Sequence, residues 1–451
     1  MTGPVAGRPI AHGTVFHSVP YAAPPVGAHR FTAPRPHEPW TAVRDATQPG
    51  PTAPQPLRDS FGTLDLSPYF GPGWRRGADY LTADIWAPAH GPAPVLVFVH
   101  GGGFLAGSSG APLYDGTAFV RDGILLVAVN YRLGIPGFLR LPDAPDNRGL
   151  LDVIAALEWV REHIADFGGD PGNVTLAGQS AGAIIVGGVL ASPSARGLFR
   201  RAIMQSGSGT AALHPAQAEV VTAALGGGTA RSLAGVPDEQ LVEMLPALSA
   251  VDVPGHPLPG VTPFSLVLDS QPADAIAVDA DLLIGSNLDE GNLYLRRPST
   301  EADIWSTAAR FHPRPDDLVR AYAGRATLAE THAAILGDGL FGAGTRRMAA
   351  AHGSAFVYEF TWRSDTLGAS HVMELPFVFD NTELPALRGL LGSTAPPADL
   401  AARTHEIWVR FAATGDPGWP RSAPGRRRVQ ELGVTWGLAE NPRPQEAAAW
   451  P

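Results

Sequence analysis

Two residue types are missing from this sequence of 451 residues: it contains no cysteine and no lysine. The lack of cysteine excludes disulfides, thiol nucleophiles and metal sites built on cysteine. Because lysine is absent, all 33 side chains with a permanent positive charge are arginine. The formal net charge of −10 disfavours a nucleic acid or an anionic membrane surface as the main partner, since both favour a basic protein face.

Long apolar runs and metal-binding motifs are also missing. No run approaches the roughly 20 residues that cross a bilayer, and residues 1–20 lack the apolar centre of a signal peptide. This pattern predicts a cytoplasmic protein with no membrane partner. The 14 histidines include no His-Glu-x-x-His and form no tight cluster, which predicts that the protein uses no metal.

The composition is that of a folded chain. Apolar residues make up 45% of the sequence and charged residues 17%, which is ordinary for a globular protein, although low in charge. Glycine and proline cluster in turns within the chain, so we predict one domain over residues 1–451. No feature of the sequence indicates an oligomeric state.

Apolar runs alternate with helical patterns between residues 81 and 205. Such alternation predicts an α/β fold, with a mostly parallel central sheet and helices on both faces. In open sheets of this kind, reactive groups collect beyond the carboxyl ends of the strands. The segments that carry the pattern are residues 96–99, 125–130, 150–166, 174–177, 183–190 and 202–205.

The pentad Gly178-Gln179-Ser180-Ala181-Gly182 lies between an apolar run and a helix-like stretch rich in Ile, Val and Gly. Strand, tight turn and helix in that order are typical of a nucleophile elbow, in which small residues two before and two after the serine let strand and helix approach. A loop serine among glycines is the alternative. The flanking segments favour Ser180 as a nucleophile.

A glycine-rich segment follows the predicted buried strand at residues 94–99. It reads His100-Gly101-Gly102-Gly103-Phe104, and its glycines leave backbone N–H groups unhindered at the end of the strand. Such groups stabilise an oxyanion during acyl transfer. A flexible turn is the alternative for this segment alone, but an elbow downstream explains both motifs with one mechanism, acyl transfer through a serine.

A serine nucleophile needs a histidine base and an acid that orients it, and in proteins with this elbow the chain order is serine, acid, histidine. After Ser180, the segment Asp281 to Ser286 is predicted to be a strand, and Asp289 and Glu290 follow its carboxyl end. Either carboxylate can be the acid. A solvated acidic turn is the alternative interpretation.

Five histidines follow Glu290 in the chain, and the positions of four of them differ. His332 and His405 fall in amphipathic helical patterns, where a packing or surface role is favoured. His352 precedes the predicted strand at residues 355–362, which puts it at the wrong end of the sheet. His371 comes after that strand, so its position makes it the predicted base.

Further motifs occur in order along nearly the whole chain. They are Pro-Tyr-Ala-Ala-Pro-Pro-Val-Gly at 20–27, His-Gly-Gly-Gly-Phe at 100–104, Asn-Tyr-Arg-Leu-Gly at 130–134, Phe-Gly-Gly-Asp-Pro at 167–171, Asp-Glu-Gly at 289–291, the segment 368–379, and Thr-Gly-Asp-Pro at 414–417.

In these motifs the chain resembles the type-B carboxylesterases, the family that includes bacterial para-nitrobenzyl esterases and the cholinesterases. The resemblance implies an α/β-hydrolase fold, with Glu290 as the acid and His371 as the base. It also implies oxyanion donors on the N–H groups of Gly102, Gly103 and Ala181. In the family, much of the pocket wall comes from the regions that correspond to residues 209–282 and 292–355.

The chain departs from the family pattern at several positions. Gln179 precedes the serine where the family usually has a glutamate, so a carboxylate is missing beside the triad. Ala53 and Ala78 stand where the family often has a cysteine and a glutamate. The usual N-terminal disulfide is therefore impossible, and Arg30 lacks the glutamate partner that the family supplies.

The resulting hypothesis is a cofactor-free serine carboxylic ester hydrolase that acts through an acyl-enzyme on small to medium neutral esters. Its only expected partner is a small-molecule ester substrate. An acyl-transfer or lactone-forming enzyme is one alternative, because the first half-reaction is shared with hydrolysis. A non-catalytic binding homologue is another, but all three triad candidates stand in order.

Overall fold

An eleven-stranded sheet forms the centre of the fold. The computed structural model of the protein describes residues 3–62, 64–295, 297–423 and 425–450. In chain order the strands of this sheet are β1 (Arg8–Ile10), β2 (Gly13–Pro20), β3 (Thr82–Pro88), β4 (Ala93–Val99), β5 (Leu125–Val129), β6 (Gly169–Gln179), β7 (Arg201–Gln205), β8 (Asp281–Asn287), β9 (Phe356–Phe360), β10 (Arg428–Leu432) and β11 (Gly437–Glu440).

The strand order across the sheet is β11-β10-β9-β8-β7-β6-β4-β5-β3-β2-β1. The six pairings from β10 to β5 are all parallel. The pairings at both edges are antiparallel, with β11 at one edge and β1, β2 and β3 at the other. The predicted parallel sheet is thus confirmed for the centre, whereas the antiparallel edges were not predicted.

In the part of the chain that the structure describes, eight helices of seven or more residues surround the sheet. They are α1 (Arg148–His163), α2 (Ala181–Leu190), α3 (Pro215–Ala223), α4 (Glu301–Phe311), α5 (Pro315–Ala321), α6 (Leu328–Gly337), α7 (Ala343–His352) and α8 (Leu400–Thr414). Shorter helices lie at Ser67–Phe70, Thr117–Arg121, Gly134–Phe138, Ala230–Leu233, Asp238–Glu243, Leu245–Ser249, Leu375–Val378, Arg388–Leu391 and Pro444–Ala448.

Helices cover both faces of the sheet because the central strands are apolar on both. In β4, Val95 and Val97 belong to one hydrophobic cluster, and Leu96 and Phe98 belong to another. The first cluster includes buried residues of α1, α2 and α7, and the second includes residues of α8. Alternate side chains of one strand therefore pack under different helices, as expected for a parallel sheet buried on both sides.

Arg30 has a partner other than the one that the family pattern supplies. Its Nη2 lies 3.1 Å from Asp238 Oδ1, and its Nη1 donates a hydrogen bond of 2.5 Å to the carbonyl of Val236. Ala78 is exposed. The positive charge at Arg30 is thus neutralised by a short helix from the predicted wall segment 209–282.

Candidate active site

Ser180 occupies the turn between β6 and α2. Its backbone angles are φ 55° and ψ −122°, a strained conformation for a residue with a side chain. A Cβ atom at Gly178 would lie 2.5 Å from the carbonyl oxygen of Gly182, and one at Gly182 would lie 2.1 Å from that of Val99. Only glycine fits at either position, so the elbow predicted from the pentad is present.

The side chains of Ser180, His371 and Glu290 form one hydrogen-bonded chain. His371 Nε2 lies 2.8 Å from Ser180 Oγ, and His371 Nδ1 lies 2.6 Å from Glu290 Oε2. Both His371 and Glu290 are only 3% exposed. Glu290 follows β8, Ser180 follows β6 and His371 follows β9, so the three residues meet at the carboxyl-end edge of the parallel part of the sheet.

The two candidate acids have different hydrogen-bond partners. The second oxygen of Glu290 accepts a 2.7 Å hydrogen bond from the backbone N–H of Asn287. Asp289 instead pairs with Arg363, at 2.7 and 2.9 Å, and accepts the N–H of Ala369. Glu290 rather than Asp289 therefore faces the histidine.

Three of the other histidines after Glu290 are held away from the serine. His332 contacts the hydroxyls of Ser299 and Thr307, His352 contacts the carbonyl of Ala280, and His405 contacts the carbonyl of Val378. Each imidazole thus serves a local packing role.

Two aromatic rings pack against the imidazole of His371. Phe341 stacks on it with ring centroids 4.2 Å apart and planes 9° apart. Tyr294 approaches the same ring at 5.7 Å. Phe341 lies in a π-helical turn, Asp338–Gly342, and no motif in the sequence marks it as part of the site.

The glycine-rich segment after β4 lies beside Ser180 and is fixed by His100. The His100 ring stacks on Tyr131 at 4.5 Å, its Nδ1 contacts the carbonyl of Gly101 at 2.7 Å, and Tyr131 donates to the His100 carbonyl. Burial lowers the pKa of His100 to about 4, so this imidazole is neutral at neutral pH. His100 thus fixes the segment through uncharged contacts.

Backbone donors are available in this segment. Gly102 and Gly103 have φ angles of 117° and 64°. Both residues lie in a loop. Within the described residues, neither of their N–H groups donates a hydrogen bond to a backbone carbonyl. Ala181 is the first residue of α2, where an N–H has no partner within the helix. All three N–H groups lie close to Ser180, and none of them has a backbone acceptor within the described residues.

Gln179 lies beside the histidine. Its Nε2 is 3.5 Å from His371 Nε2, and the residue is only 1% exposed. An amide thus occupies the place where the resemblance implies a glutamate, and no negative charge faces the imidazole from this position.

A second buried carboxyl group, Glu374, lies three residues beyond His371 in the chain. It accepts a 2.6 Å hydrogen bond from Asn287 Nδ2 and a 3.3 Å hydrogen bond from Gln205 Nε2. Removal from water raises the pKa of Glu374 to about 7, and the charge of Glu290 acts in the same direction. Sequence reasoning missed this group, because nothing in the motif distinguishes it from a surface carboxylate.

Ser180 and His371 line a cavity of about 60 Å³. The predicted wall segments contribute Val261 from 209–282, and Leu293 and Tyr294 from 292–355. An N-terminal segment that the sequence did not indicate contributes more. The other lining residues are Arg58, Ser60, Leu66, Tyr69, Phe70, Gly101, Gly102, Gly103, Tyr114, Gln179 and Val372.

A larger cavity of about 250 Å³ lies between α7 and strands β9 and β10, away from Ser180. Among the described residues, no three His, Asp or Glu side chains are grouped so that they could bind a metal. No helix in the described ranges combines the length and apolar character that crossing a membrane requires.

Comparison with known proteins relates the chain to esterases over nearly its whole length. A model described as the carboxylesterase family matches residues 1–436. The chain is 33% identical to phenmedipham hydrolase of Pseudarthrobacter oxydans, with 91% of each protein covered. It is 35% identical to para-nitrobenzyl esterase of Bacillus subtilis strain 168, with 90% of this chain and 88% of the relative covered.

A solved structure of a thermophilic PNB esterase superimposes on this fold with a TM-score of 0.87 and 30% identity. The match covers 99% of this chain and 98% of that one. The α/β-hydrolase fold that the sequence motifs imply is thereby confirmed.

Proposed function

The chain belongs to the carboxylesterase family and is a carboxylic ester hydrolase, and from this premise we propose that it works through an acyl-enzyme on Ser180. The observation that carries the proposal is the hydrogen-bonded chain from Ser180 Oγ through His371 to Glu290, with contacts of 2.8 and 2.6 Å. A nucleophile, a base and an orienting acid at these distances are the elements that serine acyl transfer requires.

In the first half-reaction, His371 Nε2 takes the proton of Ser180 as Oγ attacks the carbonyl carbon of the ester. The resulting oxyanion accepts hydrogen bonds from the N–H groups of Gly102, Gly103 and Ala181. As the intermediate collapses, the imidazolium gives its proton to the leaving alcohol, and the acyl group remains on Ser180.

In the second half-reaction, His371 takes a proton from water, and the hydroxide attacks the acyl carbon. Collapse of the second intermediate returns the proton to Ser180 Oγ and releases the acid. Glu290 stays ionised throughout: it holds Nδ1 protonated, so that Nε2 is free to act as the base, and it stabilises the imidazolium.

The lining of the cavity supports small to medium neutral esters as substrates. Leu66, Phe70, Val261, Leu293 and Val372 present apolar surface next to Ser180, and the cavity measures about 60 Å³. Such a cavity favours a short acyl chain. The proposed reaction needs no cofactor or metal.

A panel of 4-nitrophenyl esters, from acetate to octanoate, tests this proposal. We expect turnover of the short-chain esters by the purified protein, kcat/KM falling with acyl length, and loss of turnover in Ser180→Ala with an unchanged circular dichroism spectrum. Retention of turnover in Ser180→Ala would overturn the mechanism. An added alcohol that captures most of the acyl group would favour acyl transfer over hydrolysis.

A further inference from the structure

The charge lining the substrate cavity is of one sign. Arg58 is the only lining residue, among those that the structure describes, with a permanently charged side chain. No aspartate or glutamate lines the cavity in the same ranges, and Gln179 supplies an amide where a carboxylate is usual. This local balance is opposite to that of the whole chain, which carries a net charge of −10.

The guanidinium of Arg58 lies against the segment proposed to bind the oxyanion. Its Nη1 donates to the carbonyl oxygen of Gly102 at 3.3 Å, and its central carbon lies 5.7 Å from the ring centroid of Phe70. A Cβ atom at Gly103 would lie only 3.3 Å from Nη1. The charge is therefore close to the place where the carbonyl of a bound ester would react.

The charge of Arg58 also acts across the cavity. The pKa of the Tyr294 phenol is raised by its removal from water and by Glu290, and Arg58 opposes this rise. Tyr294 in turn contacts the ring of His371. The guanidinium therefore contributes a positive potential to the space that the substrate enters, and not only to the protein surface.

We propose that Arg58 forms a subsite for a carboxylate, so that the enzyme favours esters whose acyl or alcohol part carries a free carboxylate over neutral esters of the same shape. A guanidinium presents planar, fixed donors that match a carboxylate, and it stays charged at all working pH values. The inference rests on the proposed function. It adds esters with a free carboxylate as the preferred substrates, and neutral esters remain the reference substrates.

A structural role for Arg58 leads to a different result. If the side chain only holds the Gly102 carbonyl, its loss should reduce turnover of charged and neutral esters by the same factor. A carboxylate subsite instead changes the ratio between the two. The ratio of kcat/KM values for matched substrates therefore separates the two roles, whatever the substitution does to the common chemistry.

Two substrate pairs supply that ratio. With the carboxylate on the alcohol part, 4-acetoxybenzoate is compared with 4-acetoxybenzamide. With the carboxylate on the acyl part, the 4-nitrophenyl monoester of adipic acid is compared with its methyl-capped form. We expect Arg58→Gln to lower the charged-to-neutral ratio about tenfold or more in at least one pair, because hydrogen bonds to charged groups contribute at this scale.

Arg75→Gln is the matched control, since it removes the same charge from an exposed residue whose side chain donates to Pro49 and does not line the cavity. We expect this variant to keep the wild-type ratio. Arg58→Lys should recover part of the preference, and added salt should reduce the preference in the wild type.

Equal ratios in the wild type, Arg58→Gln and Arg75→Gln, for both substrate pairs, would overturn the carboxylate subsite. That outcome would leave the proposed function intact, provided that Ser180→Ala still abolishes turnover. If the wild-type protein hydrolyses none of the four esters, the proposed function itself fails.

Discussion

The proposed reacting groups and the wall of the cavity come from different parts of the fold. Ser180, Glu290 and His371 follow the strands β6, β8 and β9, and the sheet determines how far apart they lie. Arg58 and Val261 lie outside helices and strands, in connections whose course the sheet does not determine. The difference indicates that the chemistry depends on the sheet, whereas substrate choice depends on the connections.

Removing the nucleophile should produce the largest effect. Ser180→Ala is expected to lower kcat on the order of 10⁶-fold, because the covalent step is lost while the core is untouched. His371→Ala should do about the same. The measurement is steady-state hydrolysis of a short 4-nitrophenyl ester, together with thermal unfolding to confirm folding. Activity in either variant near that of the wild type would mean that the substituted residue is not a reacting group.

Replacing the acid should cost less. Glu290→Gln is expected to lower kcat about 10³- to 10⁴-fold, since the imidazole loses the charge that stabilises its protonated form. Asp289→Asn is the matched control, because its carboxylate pairs with Arg363 outside the triad. A larger loss in Asp289→Asn than in Glu290→Gln would assign the acid to Asp289 instead.

Glu374 predicts a pH dependence of stability. Its pKa in the folded protein, about 7, lies above the ordinary carboxyl value of 4.5, so the folded state binds this proton more tightly than the unfolded state. Its contribution to the free energy of unfolding is full below pH 4.5 and is lost as pH rises through 7. Glu374→Gln should therefore gain stability relative to the wild type between pH 5 and pH 8.

Urea unfolding at several pH values in this range measures the difference. Glu383→Gln, at an exposed position, is the control and should leave the pH dependence of the wild type unchanged. A constant difference between Glu374→Gln and the wild type at all pH values would contradict the assignment.

Gln179→Glu should produce the smallest effect. A carboxylate at this position, close to His371 Nε2, favours the imidazolium, so the acid limb of the pH profile for kcat should move to higher pH. The expected shift is about 0.5 to 1 unit, with one unit worth about 1.4 kcal/mol. The measurement is kcat against pH on one neutral ester.

Gln240→Glu, an exposed position with the same change in charge, is the control for this shift. An unchanged or lowered acid limb in Gln179→Glu would mean that the side chain at position 179 does not act on the base.

The positions of Ser180, Glu290 and His371 could be predicted because all three residues follow strands at one edge of the sheet. Ser180 is marked by a pentad in which the backbone admits only glycine at positions 178 and 182, and that steric requirement is visible in the sequence. The position of His371 after a predicted strand favours it as the base. The residues alone do not decide whether Asp289 or Glu290 is the acid, because neighbouring carboxylates at one strand end differ only in the direction of their side chains. Family resemblance decided between them.

The wall of the cavity and the groups packed around His371 could not be predicted in the same way. Phe341 stacks on His371 from a π-helical turn, and Arg58 reaches the cavity from a stretch with no periodic pattern. Their positions depend on how connections pack over the sheet, which no local pattern records. The buried environment of Glu374 depends likewise on Asn287 and Gln205, which lie on strands β8 and β7.

The most direct measurement identifies the acylated residue. The protein is mixed with 4-nitrophenyl acetate, quenched in acid during turnover, digested and analysed by mass spectrometry. We expect the mass of one acetyl group on the peptide that contains Ser180, and no acetylated peptide from Ser180→Ala. Turnover by the wild type with an acetyl group on a different residue, or with none on Ser180 under conditions that trap the intermediate, would contradict the acyl-enzyme on Ser180.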